Sequence, residues 1–142
     1  MKSLLVIPLL CACVLCHAQV DNLPEIVEAT FKAKYPKAKL DDWWSEHEQY
    51  HINYSISPDS YTAVFDSTGI WQETSEIISD FDIPESMKSY LKQKFPSGKI
   101  SFCEKVETKE SLRFIRVNFY DQNQPCIIIC DTSGKNIKKI DP

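Results

Sequence analysis

The sequence predicts an α+β fold in which one helix followed by about four antiparallel strands occurs twice, in residues 19–80 and 81–142, behind a leader of residues 1–18. Three observations carry this prediction. The chain repeats internally, each copy opens on an apolar stripe of period four, and beyond each stripe the apolar period switches to two.

Residues 23–40 laid over residues 83–100 give six identities in eighteen positions: Pro24/Pro84, Glu25/Glu85, Lys32/Lys92, Lys34/Lys94, Pro36/Pro96 and Lys39/Lys99. A second anchor follows at a larger offset, where Tyr61 to Gly69 aligns with Cys126 to Gly134 around Asp66 and Asp131, so the second copy carries five extra residues between its anchors. Two anchors in the same order mark an internal repeat rather than a chance match.

The leader comes first. Lys2, an apolar run from Leu4 to Leu15 interrupted by Pro8, and the ending Cys16-His17-Ala18 predict a secretory signal peptide cut after Ala18. The run is too short to cross a membrane, which takes roughly 20 apolar residues, and no later stretch approaches that length. Leu10-Cys11-Ala12-Cys13 offers an alternative route as a loose lipoprotein box, with Cys11 unusual at its position. The expected location is periplasmic or secreted, with lipid anchoring as the alternative.

Each copy then opens with an Asx, an apolar residue, proline and glutamate, Asn22-Leu23-Pro24-Glu25 and Asp82-Ile83-Pro84-Glu85. The Asx side chain is expected to cap a first-turn amide, proline loses nothing there, and glutamate suits the positive end of the helix dipole. Leu23, Val27, Phe31 and Tyr35 form one helical stripe, Ile83, Met87, Leu91 and Phe95 the other, and Pro36 and Pro96 stop both helices at the same place. Tyr50, Ile52, Tyr54 and Ile56, and later Ile115, Val117 and Phe119, then alternate with polar residues as strands do. Asp66-Ser-Thr-Gly69 and Asp131-Thr-Ser-Gly134 are turns leading into last strands near Ile70–Ile78 and Asn136–Ile140. A copy of about 60 residues is marginal alone, so the two are expected to form one continuous body.

Sixteen basic against twenty acidic residues, a formal charge of -4 and a pI near 5.4 exclude a dedicated nucleic-acid binder, which needs a basic face to neutralise phosphates. The composition, 43% hydrophobic and 25% charged, is that of a folded protein. One segment spells an enzyme motif. His47-Glu48-Gln49-Tyr50-His51 is H-E-x-x-H, which on a helix binds zinc through two histidines and activates water with the glutamate. The repeat places it opposite Val106 to Leu112, in a hairpin, where residues four apart are about 13 Å from one another and cannot share a metal. A charged hairpin is therefore expected, with no metal or other cofactor. A small zinc metallopeptidase using His47, Glu48 and His51 is the alternative.

Cys103, Cys126 and Cys130 align with Trp43, Tyr61 and Phe65, so they are read as small buried apolar residues without an intramolecular disulfide. Lys135, Lys138 and Lys139 form a short basic edge of the kind that blocks sheet-to-sheet association.

The Asx-apolar-Pro-Glu starts, the Tyr35-Pro36 and Phe95-Pro96 ends and the Phe65-Asp66-x-x-Gly69 turn resemble the PepSY-like, beta-lactamase-inhibitor-like family of exported Bacteroidetes proteins. The resemblance covers nearly all of residues 19–142. It implies tandem helix-plus-four-strand units whose sheets join into one concave surface with the helices on the other side. It brings no catalytic residues, and it implies binding or inhibition of a protein in the cell envelope.

The expected function is thus a non-enzymatic binding module that recognises a protein or peptide of the envelope through the open sheet face. Trp43, Trp44, Tyr50, Tyr54, Tyr61 and Trp71 are its candidate contacts, because Trp and Tyr commonly anchor interfaces. Alternation puts one of Trp43 and Trp44 inside and the other outside. Carriage of a small ligand on the same face is a further alternative.

Overall fold

The computed structural model describes residues 22–140, so the expected leader and cleavage site, with Cys11, Cys13 and Cys16, lie outside the described residues. The elements run α1 (Glu25–Lys34), β1 (Lys39–Glu46), β2 (Gln49–Ile56), β3 (Asp59–Asp66), β4 (Trp71–Ile78), α2 (Glu85–Lys94), β5 (Lys99–Thr108), β6 (Arg113–Asp121), β7 (Gln124–Asp131) and β8 (Lys138–Ile140). The eight strands form one open sheet in chain order, antiparallel throughout, and the fold is α+β. The five extra residues between the two sequence anchors are two in β5, two in the turn 109–112 and one in β6, relative to β1, the turn 47–48 and β2.

Both helices end where proline forbids continuation, with Tyr35 and Phe95 as C-caps whose amides bond Phe31 O and Leu91 O at 2.8 Å. Their starts differ from the expectation. Pro24 and Pro84, not Asn22 and Asp82, are the N-caps, and no side chain caps either helix. Proline in an extended conformation, ψ 136° and 142°, offers its carbonyl to the first helical amides, Glu28 N at 2.9 Å and Lys88 N at 3.1 Å. What fixes the entry is burial of the preceding Leu23 and Ile83 beside Val27 and Met87.

Val27 and Phe31 of α1 pack on Ile52, Tyr54, Ala63 and Phe65, with Phe31 edge-on to Tyr54 and Phe65. Met87 and Leu91 of α2 pack on Cys103, Ile115, Val117, Phe119, Cys126, Ile128 and Cys130. The β4–β5 ladder carries one face across the junction: Thr74 pairs with Ala63 on one side and Glu107 on the other, and Ile78 pairs with Cys103. The residues under α1 and those under α2 therefore lie on the same side of the sheet, because alternation of period two is unbroken from Thr74 to Ile78 and from Cys103 to Glu107.

The turns after β3 and β7 are built alike. The Asp66 carboxylate accepts from Thr68 N, Thr68 Oγ1 and Ile70 N, and Asp131 accepts from Ser133 N, Ser133 Oγ and Lys135 N. The Thr68 and Ser133 hydroxyls, followed by the amides of Ile70 and Lys135, hold both carboxyls below the ordinary aspartate range. Gly69 and Gly134 both sit at φ +81°, as such a turn demands.

Cys103, Cys126 and Cys130 are buried free thiols, and burial pushes Cys103 and Cys130 up to about 11. β6 lies between the strand of Cys103 and that of the other two, so the backbones are roughly two strand spacings, about 10 Å, apart. A disulfide bridges Cα atoms less than about 7 Å apart. An aromatic disulfide reagent is expected to leave these thiols untouched in the native protein and to count three in denaturant for residues 19–142. A lower count would contradict the assignment.

Candidate functional site

The face away from the helices is assembled by register. Trp44 of β1 opposes His51 of β2, His51 opposes Val64 of β3, and Val64 opposes Glu73 of β4. A second row runs Asn53, Thr62 and Ser75, and beyond the junction Ile77 opposes Glu104, which opposes Arg116. Phe102 opposes Asn118, which opposes Ile127 of β7. Residues from seven consecutive strands thus line one cavity of about 540 Å3.

Its floor is an ion network. Glu104 is only 6% exposed, and its carboxylate accepts from Ser75 Oγ at 2.7 Å, Arg116 Nε at 2.8 Å and Asn118 Nδ2 at 3.2 Å. Arg116 reaches the other way to Glu73, Nη2 to Oε1 at 3.0 Å. Burial opposes the Arg116 charge, but hydrogen bonding and attraction from Glu104 and Glu73 outweigh it and raise its pKa. A guanidinium fork suits such a bridge between two carboxylates, and a buried carboxylate needs these partners to offset its desolvation.

Above the floor stand apolar side chains. Trp44, Ile77 and Phe102 are 40%, 54% and 42% exposed. Trp44 stacks on His51 with centroids 4.7 Å apart and planes 12° apart. Burial lowers the His51 pKa, Arg116 adds to this, and Glu46 and Glu73 act against it. A base whose pKa is depressed on folding binds more protons in the unfolded chain, so stability is present above its unfolded value and is lost as pH falls below about 6.5. Urea midpoints are therefore expected to drop between pH 7 and pH 5, and to drop less in His51→Phe. Equal drops in both proteins would remove His51 as the cause.

Of the six aromatic residues singled out by the sequence, only Trp44 lies on this face. Trp43, Tyr50, Tyr54, Tyr61 and Trp71 belong to the cluster beneath α1. Tyr54 stacks on Tyr61 with centroids 5.3 Å apart, and Trp71 Nε1 donates to Thr74 Oγ1 at 2.8 Å under Lys34 Nζ, 3.8 Å from the ring. Trp43, Tyr50, Tyr54 and Tyr61 share strand parity with Ile52 and Ala63, and the register shift between Glu73 and Trp71 turns Trp71 to the same side, beneath α1. His47 and Glu48 occupy the β1–β2 turn at φ 48° and 61°, a two-residue hairpin connection, while His51 sits on β2 against Trp44. The helical turn that would set two histidines on one metal is replaced by a hairpin. Among the described residues no group of three His, Cys, Asp or Glu is arranged to hold a metal ion.

Glu73, Ser75, Glu104, Arg116 and Asn118 were not singled out from the sequence. Their signal was nonetheless present: Glu104 follows Cys103 inside a strand, and Arg116 and Asn118 alternate with Ile115, Val117 and Phe119, far from any turn.

Comparison with known proteins bears on this fold. The model of the PepSY-like family, described as "putative beta-lactamase-inhibitor-like", matches residues 16–59 and 49–121. No curated protein matches the chain. Among solved structures, a DUF2874 family protein of Bacteroides ovatus superposes with TM-score 0.65 at 18% identity, covering 84% of this chain and 89% of that one. A protein of Bacteroides eggerthii described as "putative periplasmic" gives 0.67 at 15%, covering 84% and 91%. A BLIP-like protein of Bacteroides fragilis gives 0.61 at 15%, covering 84% and 89%. At these identities the structures speak for the fold alone. With its model matched over most of the chain, the family is clear, and this protein belongs to the PepSY-like, beta-lactamase-inhibitor-like family.

Proposed function

We propose that this protein is an exported, non-enzymatic binding module that recognises a protein or peptide of the cell envelope on the helix-free face of its sheet. In this reading residues 19–80 and 81–142 are two copies of one helix-plus-four-strand unit, joined between β4 and β5 so that their sheets make one concave surface. The observation that carries it is the cavity of about 540 Å3, with exposed Trp44, Ile77 and Phe102 around a satisfied ionic floor of Glu73, Arg116 and Glu104. Exposed aromatic and aliphatic side chains around a fixed polar centre are the composition of an interface anchor, whereas single scattered apolar residues are ordinary surface. Family membership and the neighbour described as periplasmic support the same reading. Trp43, Tyr50, Tyr54, Tyr61 and Trp71 then serve the site by shaping the sheet, while Trp44 touches the partner.

The test is a photo-crosslinker placed at Trp44 and, separately, at exposed Lys32 on α1, exposed to envelope extract. A discrete adduct is expected from position 44 only, and unlabelled protein should compete it away. Trp44→Ala or Phe102→Ala protein should compete at least tenfold less well, since a truncated interface anchor costs about 2 kcal/mol. Equal adducts from both positions, or full competition by the Trp44→Ala protein, would dismiss the open face.

A further inference from the structure

Phe81 stands in the link between β4 and α2 with 84% of its surface exposed, more than any other large apolar side chain among the described residues. The link itself is firmly tied: Phe81 N donates to Ser79 Oγ at 3.2 Å, and Phe81 O accepts from Lys88 Nζ at 2.9 Å. The ring is thus held outward on a fixed backbone. Beside it lies a hollow of about 340 Å3, lined by Asp80, Ile83, Lys88, Leu91 and Ile100 together with Phe81. The hollow is large enough for a phenyl ring, yet the adjacent ring is turned out of it.

An apolar knob next to an apolar hollow on one patch is the condition for a two-fold contact, in which each copy gives the knob and receives the other's. The charges agree. Asp80 and Lys88 line the same hollow with opposite signs, so a two-fold axis through the patch can set Asp80 of each copy against Lys88 of the other. Besides its bond to Phe81 O, Lys88 has only a loose ionic contact, with Glu85 at 3.8 Å, and Asp80 accepts only from Ser79 Oγ, at 3.4 Å, among the described residues. A foreign partner would have to supply an aromatic knob and both signs in the right places, whereas a second copy carries them already.

We propose that Phe81 and this hollow form the contact of a homodimer, built from reciprocal insertion of Phe81 and two Asp80–Lys88 pairs. The hollow shares no lining residue with the cavity over the ionic floor.

Sedimentation equilibrium of the purified protein at about 10–500 µM tests it. A dimer is expected for the wild type. Phe81→Asp and the milder Phe81→Ser should each weaken it by at least about tenfold with unchanged circular dichroism, because the ring contacts nothing that folding requires. Asp80→Lys and Lys88→Glu should each weaken the dimer alone, since every pair becomes like-charged, and an equimolar mixture of the two should recover it. A wild type that stays monomeric overturns the proposal, as does a dimer that survives Phe81→Asp or a mixture no tighter than either variant.

Discussion

Replacing Arg116 by methionine is expected to destabilise the protein by about 2–3 kcal/mol at pH 7, among the largest effects of any substitution outside the apolar cores. Methionine fills much of the volume, so the loss is electrostatic. Glu104, with only 8% of its side chain exposed, would keep Ser75 and Asn118 but lose its counter-charge. The figure sits at or below the low end for breaking a buried pair because Arg116 and Glu73 keep 23% and 24% of their side chains in solvent, where screening reduces every charge interaction. Surface pairs set the contrast. Lys32–Glu28 lies at 2.6 Å, yet its side chains are 69% and 43% exposed, and removing it should cost only a few tenths of a kcal/mol. The discriminating measurement is a double-mutant cycle in urea. Glu104→Leu with Arg116→Met removes the more buried of the two ion pairs and leaves only the partly exposed Glu73, and is expected to cost at least about 1 kcal/mol less than the sum of the single changes. Strict additivity would mean that the two charges do not act as a unit.

The second large effect is expected at a glycine. Gly69 and Gly134 occupy matching turns at the same φ of +81°, so Ala at either pays about 1–2 kcal/mol for the left-handed backbone. Their surroundings separate them. A Cβ on Gly69 would meet Ile26 Cγ1 at 3.0 Å and Ile26 O and Thr30 Oγ1 at 3.1 Å, contacts that shifts of a few tenths of an ångström relieve. A Cβ on Gly134 would meet Ser86 Oγ at 2.2 Å and Pro84 Cβ at 2.5 Å. Ser86 could rotate only by giving up its 2.7 Å bond to Gly134 O, and the Pro84 ring, as the N-cap of α2, cannot rotate at all. The β7–β8 turn or the start of α2 must move, which adds an overpacking cost of about 1–3 kcal/mol. Gly134→Ala is therefore expected to lower stability by about 3 kcal/mol or more and Gly69→Ala by about half that, as read from urea midpoints at constant slope. Equal losses would show that backbone strain alone governs both positions.

Local rules took the sequence a long way with this fold. The proline stops, the period-four stripes of Leu23 to Tyr35 and Ile83 to Phe95, and the two Asp-x-x-Gly turns all act within a few residues, and they fall where the chain alone put them. The helix starts were misplaced by two residues, because Asn22 and Asp82 have the chemistry of a cap while burial of Leu23 and Ile83 decides where the chain enters. The candidate site was less legible. Of its residues only Trp44 is among the six aromatic candidates; alternation separates Trp44 from Trp43 without saying which faces out, and does not say how far a pair of charges in different strands will lie from one another. Glu104 and Arg116 face one another across the β5–β6 hairpin, but Glu73 joins them only because β4 and β5 pair although the whole of α2 lies between them in the chain, a register that no hairpin sets.

What the sequence by itself determined is therefore the kind and order of the elements and, within each strand, which residues share a side. Helix stops, turn geometry and the two apolar periods are all local. The tertiary structure decided which side of the sheet the helices cover, and so whether an aromatic residue is core or surface, and which polar residues of distant strands converge on one floor. Those outcomes rest on contacts between segments dozens of residues apart, whose alignment follows from the packing of two helices on one sheet.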